Sequence, residues 1–79
     1  MQIKLVLFGH LDRYLPAPAE RGAVILDVPT HATVAGVLDD IGVPQKERGY
    51  VTVNGERAAP DRRLEEGDEV RVIVPLGGG

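Results

Sequence analysis

Few side chains in this sequence are equipped for covalent chemistry. Cysteine is absent, so the chain offers no thiol nucleophile, no disulfide and no thiolate metal site. His10 and His31 stand far apart, and a zinc centre needs three or four ligands. Exposed loop histidines and no metal site are therefore expected. Asp39-Asp40 and Glu65-Glu66 are adjacent pairs, and adjacent residues on a helix point apart, so neither makes an acid/base couple. Gly9, Gly36 and Gly42 form no phosphate loop. What remains is the end of the sequence, "VIVPLGGG", and the carboxylate that Gly79 would carry.

A terminal carboxylate has a pKa of roughly 3.3–3.7, so at neutral pH it is ionised and a poor electrophile. Glycine suits such a tip because it lacks Cβ and can enter a narrow channel. Pro75 to Gly79, fully extended, reach about 17 Å at 3.3–3.6 Å per residue. Ordering such an arm on binding costs about 1–2 kcal/mol per residue, so a docking patch elsewhere has to offset it. Glycines alone would also suit a frayed terminus.

The elements that must carry this arm follow from periodicity. "MQIKLVLF" sets Ile3, Leu5 and Leu7 against Lys4, Val6 and Phe8, a period of two and therefore a strand. "GHLDRYLPAPAERG" reads as a long connector with room for one helical turn around Leu11–Leu15. "AVILDV" is a second strand, paired with the first as a hairpin with a wide loop. In "THATVAGVLDDIGVP" the period changes: Val34, Val37, Leu38 and Ile41 make one helical stripe. Thr33 is placed to cap its start, Gly42 suits a left-handed residue after its end, and Pro44 prevents continuation. "YVTVNGE" is a strand entering a tight Asn54-Gly55 turn. A short strand or turn region follows, and "EVRVIV" is the last strand.

One helix with an apolar stripe must cover one face of the sheet. The expected core collects Ile3, Leu5, Leu7, Val24, Leu26, Val28, Val51, Val53, Val70, Val72 and Val74. The fold class is α+β: a mixed sheet of four to five strands with one main helix on one face. With the first and last strands as central neighbours it is a β-grasp. Residues 1–74 form the domain and residues 75–79 a glycine tail. With 79 residues and 43% hydrophobic content, there is one core and no room for a deep cleft. No apolar run is long enough to span a membrane, and no secretory leader is evident. A net charge of −3 with scattered basic residues excludes a nucleic-acid footprint. The cytoplasm is the expected location.

The same alternation leaves an outer set of Val6, Phe8, Ile25 and Ile73 on the uncovered face, where polar residues are the rule. Such a cluster marks a partner site. Phe8, the sequence's single Phe, either belongs to that patch or tucks beneath the loop that follows it.

In "THATVAGVLDDIGVP", "VTVNGE", "RRLEEGDEVRVIVP" and the final "GGG", taken in that order, the chain resembles the MoaD/ThiS family of ubiquitin-like sulfur-carrier proteins. The resemblance covers the whole chain and implies a β-grasp carrier that is not itself an enzyme. It implies that the Gly79 carboxylate, preceded by Gly78, is adenylated by a ubiquitin-activating-type enzyme using ATP and magnesium. The adenylate then accepts sulfur, and the thiocarboxylate donates it to a synthase making molybdopterin or tungstopterin, or the thiamin thiazole. No cofactor would be bound by the chain. The family docks through the open sheet face, here Val6, Phe8, Ile25 and Ile73, with Leu76 from the tail. Gly77 departs from the family, which commonly has an apolar or other small residue before the final Gly-Gly. Two other readings stand beside this one: a modifier joined to proteins through its C-terminal glycine, and a β-grasp binding module with an idle tail.

Overall fold

Alternating apolar residues build three long strands in the computed structural model, which describes residues 1–17 and 19–74. These are β1 (Gln2–Leu7), β2 (Ala23–Asp27) and β5 (Glu69–Ile73). β3 (Tyr50–Val53) and the two-residue β4 (Glu56–Arg57) complete a five-stranded sheet in the order β2-β1-β5-β3-β4. β1 lies antiparallel to β2 and parallel to β5, so the first and last strands are central neighbours. β3 lies antiparallel to both β5 and β4.

The one α-helix among the described residues, α1 (Val34–Ile41), crosses the inner face. The Thr33 hydroxyl accepts a hydrogen bond from the Gly36 backbone N–H at 3.1 Å, which satisfies one of the helix's orphan donors. Gly42 ends the helix at φ 91°, a conformation that costs glycine no Cβ clash. Asn54 and Gly55 take φ 53° and 89°, so β3 and β4 join in a two-residue turn that matches their twist. This architecture is the β-grasp of ubiquitin-like proteins.

Ile3, Leu5, Leu7, Val24, Val53, Val70 and Val72 from the sheet are buried against Val34, Val37 and Leu38 of α1. Each such side chain contributes about 1.5–3 kcal/mol relative to exposure. Leu26, Val28, Ile41, Val51 and Val74 pack at the margin and are half-buried. Leu11, Val43 and Leu64 complete the core from connecting segments. Leu11 sits on a 3₁₀ turn, Gly9–Tyr14, within the connector where one helical turn was expected. A second 3₁₀ turn, Gln45–Glu47, precedes β3.

Candidate functional site

The uncovered face of the sheet can be read as rows across the strands. Ile25, Lys4 and Glu69 stand side by side in one row. Ala23, Val6, Arg71, Thr52 and Arg57 form the next. Beyond Val6, Phe8 continues the ladder by donating its N–H to the Val72 carbonyl at 3.3 Å, which sets it beside Ile73. Ile73 is in turn paired with Tyr50. Phe8, Ile73 and Tyr50 thus make an apolar row at the end of the sheet where β5 delivers the chain to Val74.

Among the sequence-derived site residues, Phe8, Ile73 and Val6 are brought together. Phe8 is 41% exposed, so its neighbours cover part of the ring and leave the rest open on this face. Val6 and Ile73 are half-buried by their neighbours. Ile25 is 57% exposed but lies two rows from Phe8, diagonal to Val6, on an edge strand. A charged group stands beside Ile25 and Val6 on the same face: the Glu69 carboxylate reaches Lys4 Nζ at 3.6 Å and Arg71 Nη2 at 3.2 Å. Leu76, Gly78 and Gly79 lie outside the described residues.

Sequence reasoning missed Tyr50 as a member of the row. Its signal was present in the alternation, since Tyr50 and Thr52 share a face opposite to Val51 and Val53. The Arg57 guanidinium lies over the Tyr50 ring, 4.6 Å from its centroid, and so holds the aromatic at the margin of the row.

A polar cluster flanks the same end of the sheet. The Glu47 carboxylate accepts from the Tyr14 hydroxyl at 2.9 Å and from Arg13 Nη2 at 3.1 Å, and His10 Nε2 is 3.3 Å away. The Tyr14 hydrogen bond first, then Arg13 and His10, hold the Glu47 carboxyl below its ordinary value. These contacts clamp together the two 3₁₀ turns, one following β1 and the other preceding β3. Among the described residues no three His, Asp or Glu side chains gather as metal ligands would, and no helix is long and apolar enough to cross a membrane.

The open apolar row beside the outlet of a central strand, on a β-grasp scaffold, places the chain among the ubiquitin-like proteins. Residues 1–75 match the Mut7-C ubiquitin family, and the chain belongs to that family. The ubiquitin-like fold that the MoaD/ThiS resemblance implied is thus present. The structure is similar to that of SAMP1 from Haloferax volcanii, with 28% identity, a TM-score of 0.75 and 100% of both chains covered. A second structure of the H. volcanii small archaeal modifier protein 1 gives 26% identity and a TM-score of 0.71, covering 95% of this chain and 98% of that one. A putative molybdopterin converting factor subunit 1 from Pyrococcus furiosus gives 24% identity and a TM-score of 0.72, covering 95% and 98%; at that identity the likeness is one of fold. No curated protein matches the chain in sequence.

Proposed function

We propose that this chain is a ubiquitin-like sulfur carrier that works through Gly79 as its terminal residue. The observation that carries the reading is the position of the Phe8–Ile73–Tyr50 row at the root of the tail, because one partner could grip the row and receive the tail together. The partner is a ubiquitin-activating-type enzyme that supplies ATP and magnesium. A Gly79 carboxylate oxygen bonds to the α-phosphorus of ATP and pyrophosphate leaves. A sulfide-level nucleophile then attacks the acyl carbon, AMP departs, and a thiocarboxylate remains. With no cysteine in the chain, that nucleophile comes from the partner. The chain catalyses nothing and holds no cofactor; residues 1–74 are the handle and residues 75–79 the reactive arm. A second enzyme in the cytoplasm takes the sulfur for molybdopterin, tungstopterin or thiamin thiazole.

The test is intact mass after incubation with the cognate activating enzyme, ATP, magnesium and sulfide. A gain equal to the difference between a sulfur and an oxygen atom supports the carrier. An unchanged mass with an enzyme that thiolates another carrier counts against it.

The similarity to small archaeal modifier protein 1 favours a second reading, conjugation of Gly79 to protein lysines. Both readings begin with the same adenylate and differ in the acceptor. Isopeptide-linked adducts in cell lysate, abolished by deleting Gly78 and Gly79, would select it.

A further inference from the structure

A groove of about 410 Å³ runs along the other side of β3, away from β5 and between that strand and α1. Val34, Ala35 and Leu38 of the helix form one wall with Ala58 and Pro60, and Gly49, Tyr50 and Val51 form the other. The strand wall is an open edge at Gly49 and at the Val51 N–H. β4 pairs only with Thr52 and Val53, and the bond from Ala58 N–H to the Val51 carbonyl at 2.9 Å is the last on that side. Backbone groups alternate along an antiparallel ladder. Asn54 donates to the Glu69 carbonyl, so Thr52 and Tyr50 also bond toward β5, and Gly49 and Val51 turn their groups outward. Among the described residues no acceptor meets the Val51 N–H. An unpaired strand edge is a template for another chain.

The charge of the groove selects that chain. Its lining includes Arg48 and Arg57 and no acidic residue, in a protein of net charge −3. Arg48 is already paired, with Nη2 bonded to the Val43 carbonyl at 2.7 Å and to Asp39 Oδ1 at 2.6 Å, so the groove's open positive charge is that of Arg57. Arg57 stacks on Tyr50 and has no carboxylate partner among the described residues.

We propose that this groove binds an extended, acidic segment of a partner protein as an added strand beside Gly49–Val51. Its backbone carbonyl takes the Val51 N–H, an aliphatic side chain rests on Ala35 and Leu38, and an Asp or Glu meets Arg57. The groove meets the Phe8–Ile73–Tyr50 row only at Tyr50, on the side of β3 away from Ile73.

The test is titration of the ¹⁵N-labelled full chain with the synthetic peptide acetyl-Asp-Val-Ile-Val-Glu-amide. Saturable shifts at the Gly49, Val51 and Ala58 amides, with slowed exchange of the Val51 proton, are expected. Arg57→Glu should weaken binding roughly fivefold or more, and a peptide with Lys in place of both acids should not bind. If that reversal disturbs the hairpin, Arg57→Gln reads the same contact with a smaller loss. The proposal is overturned by absence of shifts at millimolar peptide, by shifts confined to the Phe8 row, or by equal binding of the Lys peptide.

Discussion

The side-chain amide of Asn54 donates to Asp68 Oδ1 at 2.9 Å, tying the β3–β4 turn to the turn that launches β5. Asp68 is only 8% exposed, and its other oxygen accepts from the Glu65 N–H at 2.8 Å. Asn54 Oδ1 accepts the Glu69 N–H at 2.9 Å. Each side chain therefore answers a group that would otherwise be orphaned near the core. Asn54→Asp would replace the donor with an acceptor facing a second carboxylate. A loss of about 1–3 kcal/mol is expected at neutral pH, the usual cost of an unsatisfied buried polar group. Urea unfolding at neutral pH and again in mild acid checks this, because protonating one carboxyl should recover part of the loss.

At the start of α1, two side chains compete for one space. A Cβ built on Gly36 would stand 3.2 Å from the Thr33 hydroxyl that caps the helix. Thr33→Ala should cost about 1 kcal/mol. Gly36→Ala alone should be nearly neutral, since a helix-propensity gain of about 0.5–1 kcal/mol is offset by pressure on the cap. In the Thr33→Ala background the same change should become stabilising. A double-mutant cycle by thermal or urea unfolding reads the coupling.

Leu11 is fully buried although it belongs to a connector. Leu11→Ala should cost about 2–5 kcal/mol, as a core truncation does. For a chain this size that is a large part of a total of about 4–12 kcal/mol, so a marked fall in Tm is expected. A change within the range of a surface substitution would mean that the connector does not seal the core.

Glu47 sets an acid-side limit on the clamp between the 3₁₀ turns. Its folded-state pKa lies below the ordinary value of 4.5, with the Tyr14 hydrogen bond the largest cause. The clamp's contribution is thus complete above that ordinary value and fades as pH falls through the lowered one. Tyr14→Phe should move the Glu47 titration back toward 4.5, as read by carboxyl ¹³C shifts. Glu47→Gln should flatten the stability profile across the same acid window.

Phe8→Asp and Ile73→Asp should each weaken binding to the activating enzyme, with Phe8→Asp leaving thermal unfolding nearly unchanged because Phe8 is 41% exposed. Ile73 is half-buried, so its variant should also lose some stability. Ile25→Asp, on the same face but two rows away, should have the smaller effect on binding. Calorimetric affinities for the three variants check the ranking. An equal loss at Ile25 would mean that the docking footprint spans the whole sheet face.

The strands, the helix and the turn at Asn54-Gly55 were legible because their signals are local. Alternation in Ile3-Leu5-Leu7 and Val70-Val72 reports a buried face at a spacing of two, and Val34-Val37-Leu38-Ile41 reports one at helical spacing. Thr33 and Gly42 announce the helix ends through the needs of their own backbone neighbours. Leu11, Val43 and Leu64 carried no such signal, because a single apolar residue in a connector has no period. The same holds for Glu47, whose partners stand more than thirty residues away.

By itself, then, the amino-acid order determined which faces are apolar, where the chain turns and that its end is rich in glycine. These depend on rotamer, backbone and hydropathy preferences within a few residues. Only the tertiary structure decided that Phe8 meets Ile73 and Tyr50 while Ile25 stands apart, and that β3 keeps an edge open beside two arginines. Strand order and register are settled by packing all the apolar faces into one core at once, and no local stretch of sequence records that outcome.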